Sequence, residues 1–252
     1  MATFDYEMQA DPNPNIGLIV LQSDERIEQD FRRLLPLSVN LYVSRVQSSP
    51  DVTPQTLRLM EAHIPDSARL LPRPVSFDAV GYGCTSGTAQ IGQGRIGELL
   101  RQGVETRTVS DPLTALIAAC NALGVRRLGF LSPYIADVSG RLRQVLLGQG
   151  VASPVFGTFA EAEEQRVARI SGRSLVTATR ALAQQDDIDA IFLSCTNLNT
   201  LDVIAPLEYE TGLPILSSNL VFAWHLCRLV GQPMAGMVGD SRLAALEIPR
   251  ID

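Results

Sequence analysis

The chain has 252 residues, of which 46% are hydrophobic and 19% charged, enough for one large or two small domains around a sizeable core. Its 21 basic and 27 acidic residues leave a net charge of −6 with no clustered basic stripe, which argues against nucleic-acid and anionic-membrane partners. The opening MATFDYEMQADPNPN lacks the basic-then-apolar pattern of an export signal, and no apolar stretch reaches membrane-spanning length, so a cytoplasmic protein is expected.

Apolar runs of strand length alternate with stretches of helical period. Predicted strands lie at 16–22 (IGLIVLQ), 39–46 (VNLYVSRV), 77–83 (FDAVGYG), 105–109, 126–131 (RRLGFL), 151–157, 188–194 (IDAIFLS) and 213–217 (LPILS). Amphipathic helices are predicted at 25–35, 53–62, 94–103, 112–123, 138–148, 172–185, 198–211 and 219–230. Continuously apolar strands separated by helices imply parallel sheets covered on both faces.

The chain also repeats itself. GLIVLQS begins at Gly17 and GFLSPY at Gly129, an offset of 112, while Cys84 and Cys195 are 111 apart and each lies six residues beyond the Asp of an Asp-Ala pair. The expected fold is therefore α/β, with two pseudo-symmetric lobes, each a parallel sheet flanked by helices, and an active site in the cleft between them. The first lobe is expected to span 1–110 plus about 218–252, and the second 111–217. Ligands of open parallel sheets bind beyond the carboxyl ends of the strands, where both cysteines would lie.

Four cysteines without a Cys-x-x-Cys pair, in a reducing compartment, read as free thiols. With only His63 and His225 and no His/Cys cluster, no metal site is expected. Cys84 and Cys195 each end a strand and precede a threonine, in GCTSGT and SCTNLNT. A helix start there would offer N–H groups to anionic sulfur and lower its pKa. Cys120 and Cys227, by contrast, continue apolar helix faces and read as core. Tyr134, in LSPY, is either core or a phenol offered to a ligand oxygen. Ser23 and Asp24 stand at the corresponding mouth of the first half, where Asp24 could equally cap the next helix. EAEEQR (161–166) reads as a solvated charged face. GQGRIG (92–97) matches a dinucleotide fingerprint only in spelling, since it does not follow a strand directly, and chance or helix packing explains it better.

Together, GYGCTSGTAQIG, LSPY, SCTNLNTLDVIAPLEYETGLPILSSN and WHLCRLVG resemble the aspartate/glutamate racemase superfamily over roughly residues 16–231. The likeness is greatest to the branch holding maleate isomerase, arylmalonate decarboxylase and ectoine-utilisation racemase-like proteins. It implies a cofactor-independent enzyme with one site between two lobes, a small carboxylate substrate and a homo-oligomer. In the superfamily's racemases one cysteine removes the α-proton and the other returns one from the opposite face. Maleate isomerase instead adds the counterpart of Cys84 to an alkene, and arylmalonate decarboxylase keeps only the counterpart of Cys195. Asp24 stands where maleate isomerases place a carboxylate-binding asparagine, and a second such asparagine aligns near Glu163 or Glu164.

The resulting expectation is a racemase or epimerase of an amino-acid-like carboxylate, with ectoine-derived compounds among the candidates. Cys84 and Cys195 would be its acid and base. Thr85, Ser86, Thr196 and Asn197 would form its oxyanion loops, and Ser23, Asp24, Tyr134, Ser218 and Asn219 would orient substrate. The alternatives are a cis–trans isomerase with Cys84 as nucleophile, a decarboxylase, and a binding module without turnover.

Overall fold

The computed structural model describes residues 1–235 and 241–246. The part of the first lobe expected at 236–240 and 247–252 lies outside the described residues. Strands β1 (Asn15–Leu21), β2 (Asn40–Val46), β3 (Phe77–Gly83) and β4 (Thr106–Ser110) form one parallel sheet in the order β2-β1-β3-β4. Strands β5 (Arg127–Tyr134), β6 (Ala152–Glu161), β7 (Ala190–Leu193) and β8 (Ile215–Ser217) form a second in the equivalent order β6-β5-β7-β8. The internal repeat in the sequence is thus two copies of one parallel α/β scheme.

Burial follows position in the sheet. The inner strands β1, β3, β5 and β7 are buried along nearly their whole length, whereas the outer strands β2 and β6 expose alternate residues. Helices cover both faces, and local chemistry sets their ends. Helix Pro112–Leu123 begins with a proline whose missing N–H costs nothing there, and Asp111 Oδ1 accepts from the N–H groups of Leu113 (2.9 Å) and Thr114 (2.8 Å). Gly124 closes it at φ 72°, a conformation that favours glycine.

Two departures from the sequence reading have local causes. Helix Ile64–Arg69 was not predicted, because Pro65 reads as a breaker; it sits in the first turn, where proline is tolerated. The GQGRIG stretch is a junction of two helices, Thr85–Ile91 and Gln93–Gly103, which turn at Gly92 with φ 103°. Among the described residues, no helix is long and apolar enough to cross a membrane.

Two features hold the sheets together. Helix Ser218–Leu229 leaves β8 of the second sheet and packs on the first. Its Phe222 ring lies over Gly81 of β3 and meets Phe31 edge-on at 5.5 Å, and His225 Nδ1 pairs with Ser110 Oγ at 2.7 Å. On the far side, Val52 N–H donates to the Ala162 carbonyl (2.9 Å) and Glu164 N–H to that of Pro50 (3.1 Å), which clasps one lobe to the other.

A Cβ at Gly81 would stand 2.5 Å from the Phe222 ring. Gly81→Ala is therefore expected to lower the unfolding free energy by about 1–3 kcal/mol through overpacking, read as a lower urea midpoint. An unchanged midpoint would show that the helix does not seat on β3 in this way.

Candidate active site

The strand order reverses between β1 and β3 in one sheet and between β5 and β7 in the other, which opens a crevice at each carboxyl edge. Asp24 follows β1 and Cys84 follows β3, while Tyr134 ends β5 and Cys195 follows β7. The two crevices supply one site.

Cys84 is the N-cap of helix Thr85–Ile91, and its sulfur accepts from Gly87 N–H at 3.2 Å. Cys195 is held differently from expectation. No helix begins directly after it, since the next one starts at Leu201; a turn intervenes, and Asn197 N–H donates to its sulfur at 3.2 Å. Its φ is 139°, a region that costs a non-glycine residue about 1–3 kcal/mol and persists only where neighbours enforce it. The enforcing contacts are Ser194 N–H on the Leu131 carbonyl (2.8 Å) and Cys195 N–H on Ser218 Oγ (2.9 Å).

Ser218 joins the two halves. Its hydroxyl oxygen accepts both Cys195 N–H and the Thr85 hydroxyl, the latter at 2.8 Å, so one atom ties the Cys84 loop to the Cys195 backbone. Asn219, its neighbour, donates to Asp30 Oδ2 (2.8 Å) and to the Thr196 carbonyl (2.7 Å). The Asn197 side chain is fully engaged: Nδ2 reaches the Glu164 carboxylate (2.9 Å) and carbonyl (3.1 Å), and Oδ1 accepts Glu25 N–H (2.9 Å). Thr196 Oγ1 makes a long 3.5 Å contact with the Gly83 carbonyl and also lies beside the Asp24 carboxyl. Ser86 is buried, and its hydroxyl has no hydrogen bond to the described residues. Ser23 sits further out and pairs with Ser48 (Oγ–Oγ 3.1 Å).

The electrostatics reverse one expectation. A helix-start N–H at Cys84 and a turn N–H at Cys195 are present, yet burial pushes the Cys84 thiol up to about 12 and the Cys195 thiol well above its ordinary value. Glu164 and Asp24 add to both shifts, and the single N–H bond on each sulfur does not offset them. Both shifts favour the neutral thiol over the thiolate. Burial likewise raises Asp24 and Glu164. Asp24 Oδ1 accepts the Arg26 and Ile27 N–H groups (both 2.8 Å) at the start of helix Ile27–Leu34, so the capping reading holds for that oxygen. Thr196 lies close enough to temper the shift, yet Oδ2 has no hydrogen bond of ordinary geometry and is fully buried. Arg45 points its guanidinium at the Leu21 and Asp24 carbonyls rather than at the carboxylate.

The resemblance aligns either Glu163 or Glu164 with a carboxylate-binding asparagine, and the residue pattern does not choose between them. Their stretch reads as a solvated charged face, and for Glu163 that holds; Glu164 is only 7% exposed and accepts the Tyr134 hydroxyl at 2.6 Å. The doublet of glutamates hides which one turns inward, a matter settled by the clasp at Pro50. Tyr134 in turn lies 3.0 Å from Cys195 Sγ. Tyr82 was missed: its ring is wholly buried and its hydroxyl points to Met60 Sδ at 3.6 Å, beside Cys84. Cys120 and Cys227 are fully buried core residues.

Two similar α/β lobes that each bring a buried thiol to a shared crevice define a narrow class of protein, and comparison with known proteins agrees. The family described as arylmalonate decarboxylase matches residues 98–244, more than half of the chain, which belongs to that family. Arylmalonate decarboxylase of Bordetella bronchiseptica is 29% identical over 241 residues, covering 94% of this chain and 98% of its own. A solved double mutant of arylmalonate decarboxylase in the liganded form, 27% identical, superposes with a TM-score of 0.82 over 92% of this chain and 98% of its own. The maleate isomerase of Nocardia farcinica is 24% identical over 239 residues, covering 90% of this chain and 94% of its own. A mutant of that enzyme with a covalently bound succinylcysteine intermediate shares the fold, with 21% identity and a TM-score of 0.78 over 92% of this chain and 98% of its own.

Asp30 gives the site a measurable pH signature. Burial lifts its carboxyl from 3.8 to about 6, aided by Asp24 and opposed by Asn219, Arg33 and Arg26. Stability from the protonated form is complete below 3.8 and is lost as the pH rises through about 6. Asp30→Asn imitates the protonated group, so its stability relative to wild type should grow by about 2–3 kcal/mol from acid to neutral pH. Urea unfolding across that range checks it, and a pH-independent difference would refute the shift.

Proposed function

We propose that this chain is a cofactor-independent racemase or epimerase acting at the α-carbon of a small amino-acid-like carboxylate, with Cys84 and Cys195 as acid and base. The observation that carries the reading is the presence of one thiol at each of two facing crevices, with Ser218 bonded to the loops of both. One sulfur, as thiolate, takes the α-proton; the C–H electron pair moves into the carboxylate as an enediolate; the opposing thiol supplies a proton to the other face. The free Ser86 hydroxyl and the N–H groups of the two cysteine loops are the donors for the enediolate oxygens, each worth about 3–4 kcal/mol when preorganised.

The substrate class follows from the acceptors. Among the described residues, buried Asp24 Oδ2 and Asn219 Oδ1 make no hydrogen bond of ordinary geometry, and Glu164 adds a second buried acid. A dicarboxylate would meet like charge here, whereas a substrate carrying an ammonium, amidinium or acylamino N–H would satisfy the orphaned oxygens. A cationic group would also offset the carboxylates that raise both thiols, so its binding would favour thiolate formation. Ectoine and its hydrolysis products carry such groups beside a carboxylate.

A second reading has one specific observation in its favour: the succinylcysteine in the Nocardia maleate isomerase mutant, which shares this fold. In that case Cys84 would add to an alkene, and mass spectrometry would find a substrate-sized adduct on its peptide. For the racemase, α-amino and α-acylamino acids, ectoine-derived ones included, should take up deuterium at the α-carbon in D₂O by proton NMR. Cys84→Ser and Cys195→Ser should each slow that uptake by at least about 10²-fold. Asp24→Asn should weaken cationic substrates relative to dicarboxylates. Exchange that persists in either serine variant would reject the thiol pair, and unchanged selectivity in Asp24→Asn would reject the substrate class.

A further inference from the structure

The two thiols are alike in burial but differ in what stands behind them. Cys195 Sγ lies 3.0 Å from Tyr134 Oη, and the Tyr134 hydroxyl donates to Glu164 Oε1 at 2.6 Å. Because that hydroxyl's only hydrogen is committed to Glu164, the Cys195 S–H is the donor in the sulfur–phenol contact. Asn197 closes the ring, with Nδ2 on Glu164 Oε2 (2.9 Å) and N–H on Cys195 Sγ (3.2 Å). Glu164 also lines a narrow surface hollow with room for about one water, together with Ser23, Ser48, Asp51, Thr56 and the apolar Leu57 and Met60.

Cys84 has no such chain behind it. Its neighbouring phenol, Tyr82, also lies against the Cys84 sulfur, but its hydroxyl bonds the thioether of Met60 (3.6 Å), a weak acceptor and no base. Among the described residues, no hydrogen bond links Cys84 or Tyr82 to a carboxylate. Asp24 faces both thiols and Glu164 from the first lobe, but acts on them only through its charge.

We infer that Tyr134 and Glu164 form a proton relay connecting Cys195, and not Cys84, to solvent. When the Cys195 S–H bond breaks, its electron pair stays on sulfur and the proton passes to Tyr134 Oη. The phenol's own proton moves to Glu164 Oε1, which leaves a thiolate, a neutral phenol and a carboxylic acid at unchanged total charge. The Asn197 N–H bears on the new thiolate, and Glu164 releases its proton into that hollow. Cys195 can thus renew its hydrogen while the site is closed, whereas Cys84 keeps its own until solvent enters. The catalytic meaning of this asymmetry rests on the acid–base reading above: a substrate hydrogen taken by Cys195 would be washed out between turnovers, and one taken by Cys84 would be retained. Tyr134 and Glu164 are positioning residues in this role.

The test needs no substrate, so it can fail or succeed independently of the racemase reading. The S–H stretching bands of the full chain are followed by infrared spectroscopy after transfer into D₂O, with each cysteine assigned from its serine variant. Cys195 should exchange about 10²-fold faster than Cys84, the lower end of what one positioned proton acceptor contributes. Glu164→Gln and, separately, Tyr134→Phe should slow Cys195 to the rate of Cys84. The core thiols Cys120 and Cys227 should remain slow in every sample, which reports that the fold is intact and that opening is not the cause. Equal rates for Cys84 and Cys195 in the wild-type chain, or a Cys195 rate unmoved in a folded Glu164→Gln or Tyr134→Phe variant, would overturn the relay.

Discussion

A buried cluster of two carboxyl groups and two thiols, with no guanidinium bonded to any of them among the described residues, must hold protons to stay near neutrality. That constraint governs this protein. Asp24 and Glu164 are each nearly inaccessible, their donors are backbone N–H groups, a phenol and an amide, and the chain contains no lysine. Burial together with these two acids therefore favours the neutral form of both thiols. A helix N-terminus alone favours anionic sulfur, but here one N–H per thiol is outweighed by desolvation and by the two acids.

The same groups that set the electrostatics hold the geometry. Ser218 bonds to Thr85 and to Cys195, Asn219 ties the Thr196 carbonyl to Asp30, and Asn197 joins Glu164 to the Glu25 backbone. Each is a short polar residue at the end of a strand or the start of a helix, reaching from one lobe's loop to the other's. The unfavourable φ of Cys195 is maintained by this lattice, which fixes where its sulfur stands. Helix Ser218–Leu229 is the structural root of the arrangement, since its first residues bond within the site while Phe222 and His225 seat it on the first sheet.

The fold was largely legible because inner parallel strands are apolar on both faces and appear as unbroken runs, and because the two lobes repeat one pattern. The strands were placed within a few residues, with β6 running past the prediction to Glu161, where its pattern turns half-polar. Helix Ile64–Arg69 was hidden by a proline whose effect depends on its place within the turn. The paired cysteines, the flanking hydroxyl residues and Tyr134 were visible as strand-end residues in duplicate. Tyr82 was not, and Glu164 emerged only through the resemblance as one of two neighbouring glutamates, since a glutamate in EAEEQR and a tyrosine in a strand carry no mark of what lies across from them.

By itself the amino-acid order determined the alternation of strands and helices, the doubling of the unit and the placing of a thiol at the end of a strand in each copy. These are properties of local periodicity, and a linear string records them. Tertiary structure alone decided that burial favours the protonated form of both sulfurs, that the phenol beside one meets a carboxylate while the phenol beside the other meets a thioether, and that among the described residues one oxygen of Asp24 makes no ordinary hydrogen bond. Ionisation and hydrogen bonding depend on desolvation and on partners distant in sequence, such as Glu164 for Tyr134 and Ser218 for Thr85, and only folding brings those together.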